Sequence, residues 1–275
     1  MSLVAANAMT LFALTLSHAV RGDLLSFVQA AFILLVLLGF VCVAGYTAKQ
    51  LRAGRIFSAE SAPPAIVMQP ISGWLFVGCV VGLIYLQSAL YAVVVLVGVA
   101  GMVVESGRPA RTLFGFDRVP PIRALTWSLL IFGAIMLVET PLTEASTGAL
   151  DYFKISHPEQ QSVETFRQYN QTSTILFFLL QAVIIFPVIE ELFFRGFLLT
   201  FLKNYTSTGL AIVLSGGVFA FAHLNLGAVL PLWFLGIVLG VAYEHTGSLL
   251  VPMGVHACFN LDTGLSLLLD KGNSS

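Results

Sequence analysis

The sequence predicts an all-α fold: a polytopic bundle of about seven or eight transmembrane helices around a polar cavity inside the membrane. Three observations carry this prediction. Hydrophobic residues fill 57% of the 275 positions, and the mean hydropathy is +0.92. The 13 basic and 14 acidic residues make up 10% of the chain, against roughly 25% in soluble domains. Long charge-free runs alternate with short polar stretches. So little charge excludes disorder, a coiled coil and an ordinary cytosolic enzyme. A net charge of −1 with no basic block argues against a nucleic-acid partner and leaves the lipid bilayer as the first one. The expected location is a membrane crossed several times, the plasma membrane of a bacterium being favoured and the endoplasmic reticulum expected in a eukaryote.

A span needs about 20 apolar residues. Residues 3–20 are moderately apolar and read as a short span or a helix lying on the bilayer; no Lys or Arg precedes Arg21, so the positive start of a secretory signal is lacking. No charge falls between Asp23 and Lys49, which predicts a span near 24–46. Residues 47–70, with Lys49, Arg52, Arg55, Glu60 and Pro63-Pro64, read as a loop. The charge-free run from Ile71 to Val104 reads as one long tilted span, with a hairpin as the alternative. A polar linker from Glu105 to Arg123 leads to a span near 124–139, and residues 140–172 form the largest polar segment. Four further spans follow near 173–200, 208–224, 228–244 and 249–269, with short connections. The chain thus divides into N-terminal helices and loops (1–172), a core carrying the polar motifs (173–269) and a short polar tail (270–275). Arg108, Arg111, Arg118 and Arg123 favour the cytoplasmic side for their linker. Gly78-xxx-Gly82, Gly236-xxx-Gly240 and Ser215-Gly216-Gly217 suit close helix packing. Cys42, Cys79 and Cys258 all lie in apolar runs and have neither disulfide nor zinc-cluster spacing.

The chemistry is carried by polar side chains at membrane depth. An ionisable group there costs about 2.5–3.5 kcal/mol, so it lines a cavity and has a partner. Glu191 and Arg195 are four apart and share a helix face, whereas Glu190 is turned about 100° away. An ion pair that fixes helix packing accounts for Glu191 and Arg195 but not for a second adjacent carboxylate. Pro187 removes a backbone donor and bends this helix, opening room beside the carboxylates. Phe219 lies one turn before His223 and can wall the imidazole from lipid. His256 and Asn260, again four apart, can both donate hydrogen bonds in one direction, as an oxyanion site requires, or can simply bond between helices. Glu244 and His245 read as interfacial, with Gly247 as a helix C-cap and Ser248 as the next N-cap. HExxH, GxSxG and phosphate-binding glycine loops are absent from the sequence.

Taken together, Glu190-Glu191-xxx-Arg195, Phe219-xxx-His223 and His256-xxx-Asn260 resemble the CAAX-protease and bacteriocin-processing (Abi) family of intramembrane glutamic endopeptidases. The three motifs stand in the family's order on separate predicted helices, and the resemblance covers roughly residues 180–262. It implies that Glu190 and His223 activate a water, that His256 and Asn260 form the oxyanion site, and that Glu191 and Arg195 support them. It implies no cofactor and a membrane-associated peptide or protein substrate, which a prenyl group can anchor. Two other readings stay open: a zinc protease with Glu190, His223 and His256 as ligands, and a non-catalytic membrane scaffold of the same family.

Overall fold

The computed structural model describes residues 89–273, which form eight helices with no strand among them. The readings for 3–20, 24–46, 47–70 and the first part of the 71–104 run fall outside the described residues. Helix α1 (Ala89–Ser106) buries Val95 and Met102 against the core, and Gly107, at φ +62°, ends it. The single turn α2 (Ala110–Leu113) delivers Phe114 into the interior, where its carbonyl accepts the Leu249 N–H at 3.1 Å.

Helix α3 (Pro121–Tyr152) begins with a proline, whose missing N–H costs nothing in a first turn. Its 32 residues are about 48 Å long, enough to cross a bilayer with a polar end to spare. The helix is longer than the 124–139 span because residues 140–152 continue it. There Thr143 donates to the Glu139 carboxylate and Thr147 to the Thr143 carbonyl, both at 2.9 Å, so the hydroxyls are satisfied within the helix. The short α4 (Gln161–Gln168) buries Phe166 and is tied down by Lys271, whose Nζ donates to the carbonyls of Arg167 and Tyr169.

One unbroken helix, α5 (Thr172–Leu202), carries the first motif. It widens into π-helical turns at Gln181–Ile185 and at Leu192–Leu199. In the first of these the Phe186 N–H reaches back five residues to the Gln181 carbonyl. The next bond in that register would run from residue 187 to the Ala182 carbonyl, and Pro187 has no N–H to give. The distortion expected at Pro187 is therefore a π turn with one carbonyl left over. Every residue from Glu191 to Leu199 is buried, which places the C-terminal half of α5 at the centre of the bundle.

Helices α6 (Thr208–Ala222), α7 (Val229–Thr246) and α8 (Leu250–Asn273) wrap around it. Ser207 caps α6, accepting the Leu210 N–H at 3.4 Å. Gly247, at φ +62°, ends α7 with its N–H on the Tyr243 carbonyl, and Ser248 Oγ accepts the Leu250 N–H at the start of α8. Both caps match the sequence reading. Helices α6 and α7 run antiparallel and meet through glycine: a Cβ on Gly236 would lie 2.7 Å from Gly216 Cα, and one on Gly240 would lie 3.1 Å from Ile212. The close contact expected of Gly236-xxx-Gly240 and Ser215-Gly216-Gly217 is what brings α7 up against α5 and α6, while Gly78-xxx-Gly82 lies outside the described residues.

Three of the helices, α3, α5 and α7, are long and apolar enough to cross a membrane. Leu137 is 80% exposed and Leu130 61%, an outer surface suited to lipid and costly in water. The fold is that of an all-α integral membrane protein.

The glycine contact makes a prediction. Gly236→Ala should destabilise the protein by about 1–3 kcal/mol, because neither backbone can give way. Gly133→Ala, where the added methyl meets nothing within 4 Å, should not. Thermal unfolding of both variants in one detergent checks this; equal behaviour would contradict the packing described.

Candidate active site

The carboxylate of Glu191 is wholly buried and joins three helices. Its Oε1 accepts from Arg195 Nη1 at 2.5 Å on the same face of α5, the spacing expected of an i, i+4 pair. Arg195, equally buried, spends a second nitrogen on the Gly236 carbonyl of α7 at 3.0 Å. From α8, His256 Nδ1 meets the same Glu191 oxygen at 3.0 Å. A carboxylate needs a donor, so one imidazole hydrogen sits on Nδ1, which leaves Nε2 turned away from Glu191.

That Nε2 faces the other carboxylate. Glu190 Oε2 lies 3.7 Å away, in ion-pair range but beyond a hydrogen bond, and its side chain is 18% exposed. The turn of the helix thus separates the two glutamates as predicted. Glu191 is locked into the packing through Oε1, whereas Glu190 makes no such bond; the buried Oε2 of Glu190 has no hydrogen-bond partner, and neither do Glu191 Oε2 and Arg195 Nε. A buried polar atom in that condition calls for a functional explanation.

Phe219 connects the rest. Its fully buried ring lies 4.7 Å from the His223 ring, 5.4 Å from that of His256 and 5.1 Å from Phe194, and the Arg195 guanidinium stacks over it at 4.8 Å. That last contact neutralises part of the cost of burying the cation. The sequence reading had Phe219 shielding one histidine; it touches both. His223 stands at the end of α6 with Nδ1 donating to the Phe219 carbonyl at 2.8 Å, which leaves Nε2 for another partner. Its contacts run through Phe219, and it makes no ion pair with Glu190.

Asn260 does something the motif spacing does not foretell. Its Nδ2 donates to the Ala182 carbonyl at 2.8 Å, the carbonyl that Pro187 leaves without a backbone donor. One N–H of the amide and its Oδ1 stay available for another partner.

Residues 172–261 match a family described as type II CAAX prenyl endopeptidase, Rce1-like. All three motifs lie in this Rce1-like segment, and the match agrees with the resemblance read from them. The chain is also 30% identical over 166 residues to "Uncharacterized protein YyaK" of Bacillus subtilis (strain 168), covering 56% of this chain and 51% of that one. The chain therefore aligns with about half the length of this curated relative. No solved structure matches it.

Within the Rce1-like segment, the structure brings together Glu190, Glu191, Arg195 and His256, sets His223 beside them across Phe219, and turns Asn260 toward the π turn. Two partners escaped sequence reasoning, the carbonyls of Gly236 and Ala182, since backbone acceptors leave no mark in a sequence. Pro187 was the one available signal for the second. Among the described residues no three His, Cys, Asp or Glu side chains are grouped to hold a metal. Glu244 pairs with Lys203 at 2.7 Å near the end of α7, and Cys258 is a free thiol.

Arg195→Lys tests the junction. A lysine keeps the charge but cannot reach the Glu191 carboxylate and the Gly236 carbonyl in one fixed fork. The expected loss is about 1.5–3 kcal/mol, the worth of a hydrogen bond to a charged group. Chemical unfolding in detergent measures it, and wild-type stability in this variant would contradict the assigned geometry.

Proposed function

We propose that this chain is an intramembrane endopeptidase that hydrolyses a peptide bond of a membrane-associated peptide or protein with water activated by a glutamate and a histidine. The observation that carries the reading is the partnerless Oε2 of Glu190, buried between apolar helices and facing an imidazole nitrogen. A water held there gives its proton to Glu190 as its oxygen bonds to the substrate carbonyl carbon, and the carbonyl electrons move onto the oxygen. His223 Nε2 accepts a hydrogen bond from the hydrogen that stays on the water oxygen and orients the attack. His256, with a hydrogen on Nε2 as well as on Nδ1, and the N–H that Asn260 has to spare donate hydrogen bonds to the oxyanion. Glu190 then passes its proton to the amide nitrogen, the C–N bond breaks, and an amine and a carboxylic acid leave. Glu191 and Arg195 hold the frame. No covalent intermediate and no cofactor is required. The Rce1-like match supports a C-terminal, prenyl-anchored peptide as one substrate, and the lipid-facing helices suit any substrate that arrives through the bilayer.

The test compares new peptide termini by mass spectrometry in membranes that hold matched amounts of wild type or Glu190→Gln. Termini that depend on Glu190, and that survive a chelator, are the expected result. Wild-type turnover by Glu190→Gln would overturn the role of that residue, and loss of cleavage to the chelator would favour zinc held by Glu190, His223 and His256. In the same assay Asn260→Ala should lose about 10²–10³ in rate, and a loss under about threefold would remove Asn260 from the oxyanion site.

A further inference from the structure

A groove of about 580 Å³ lies between the first turns of α3 and the last turns of α7, and it shares no residue with the glutamate and histidine site. Its walls are apolar: Trp127 and Ile131 on α3, Val238 and Val241 on α7. Its mouth is cationic, with Arg118 and Arg123 beside His245. The size falls within the roughly 300–1,000 Å³ of ligand cavities.

Neither arginine forms an ion pair among the described residues. The ion pairs among the described residues engage His157, Arg167, Arg195, Lys203 and His256, so neither Arg118 nor Arg123 meets a carboxylate within 4 Å. Of the neighbouring acids, Glu244 is already held by Lys203, and Asp117 accepts from the Thr112 hydroxyl at 3.1 Å. The mouth is also shaped around Arg118. Its Nη1 lies 2.5 Å from where a Cβ on Gly247 would stand, so the glycine that caps α7 leaves the space in which the guanidinium rests. Both helices that form the walls are long and apolar enough to span, and the α3 surface continues from the groove onto the exposed Leu125, Leu129 and Leu130. Trp127, half exposed beside the arginines, is the residue type that favours the depth of lipid headgroups.

We propose that this groove binds one anionic phospholipid of the surrounding bilayer, its phosphate between Arg118 and Arg123 and an acyl chain along Ile131, Val238 and Val241. Two guanidinium groups suit a phosphate through paired N–H donors. A zwitterionic headgroup would bring a third cation to a mouth that already holds two. A free anion would leave the apolar walls uncovered, and it has no reason to prefer a site that opens onto lipid.

The experiment is native mass spectrometry of the full chain, stripped of lipid in detergent and titrated with phosphatidylglycerol or with phosphatidylcholine of the same acyl chains. One phosphatidylglycerol should be retained with about a tenfold or greater preference, and raising the salt from about 50 to about 500 mM should reduce that preference. Arg118→Gln with Arg123→Gln should bring it below about twofold, and Val241→Trp, which fills the walls, should weaken retention with both arginines intact. Equal retention of the two lipids by wild type overturns the proposal. So does a preference indifferent to salt, a reading that needs no variant to fold. Inorganic phosphate that displaces the lipid at low millimolar concentration would show an anion site without a lipid site, and would overturn it as well.

Discussion

The Glu191–Arg195 pair is the contact on which the rest of the core depends. Two charges buried at the centre of an apolar bundle are tolerable only when each is paired and its remaining hydrogen-bonding capacity is used. The pair meets most of that demand by recruiting the neighbours: Arg195 takes a backbone carbonyl from α7 and Glu191 takes an imidazole from α8, while Glu191 Oε2 and Arg195 Nε keep no hydrogen-bond partner. Helix α7 reaches Arg195 only because Gly216 and Gly236 let α6 and α7 touch along their backbones. Phe219, on α6, then lies flat against the guanidinium and edge-on to two histidines. One buried ion pair therefore sets the relative positions of four helices. The consequence for chemistry is a division of labour, in which Glu191 is consumed by structure and Glu190, one position earlier, is not.

The π turns of α5 serve the same end. A proline inside a helix would ordinarily cost a hydrogen bond and a clash. Here the chain takes the five-residue register before Pro187, and Asn260 on α8 supplies the donor that the proline lacks. The amide is thus a clamp between α5 and α8 as well as a candidate oxyanion donor. The two tasks are compatible because a primary amide has two hydrogens.

Much of this was legible in the residues. Long apolar runs with short connections located α5 to α8 to within a few positions, and the i, i+4 rule paired Glu191 with Arg195. Helix α3 was read too short because its second half is polar. Hydropathy marks where a helix meets lipid, whereas Thr143 and Thr147 satisfy themselves along the backbone and let the helix run on. The motif spacing placed His256 and Asn260 on one face but could not say that they turn to different partners, since those partners come from α5 in three dimensions. The direct neighbour of Glu190 is likewise His256, on the most distant motif, with His223 set off across a phenylalanine ring.

The measurement that reaches the centre of this account is the unfolding free energy of Glu190→Gln and Glu191→Gln, taken side by side in the same detergent. Both changes remove one carboxylate charge and keep the shape. If Glu191 anchors the bundle and Glu190 is held in reserve for chemistry, Glu191→Gln should lose about 3–5 kcal/mol through an uncompensated buried arginine while Glu190→Gln stays near wild type. Equal losses, or the reverse order, would contradict the division of labour between the two glutamates.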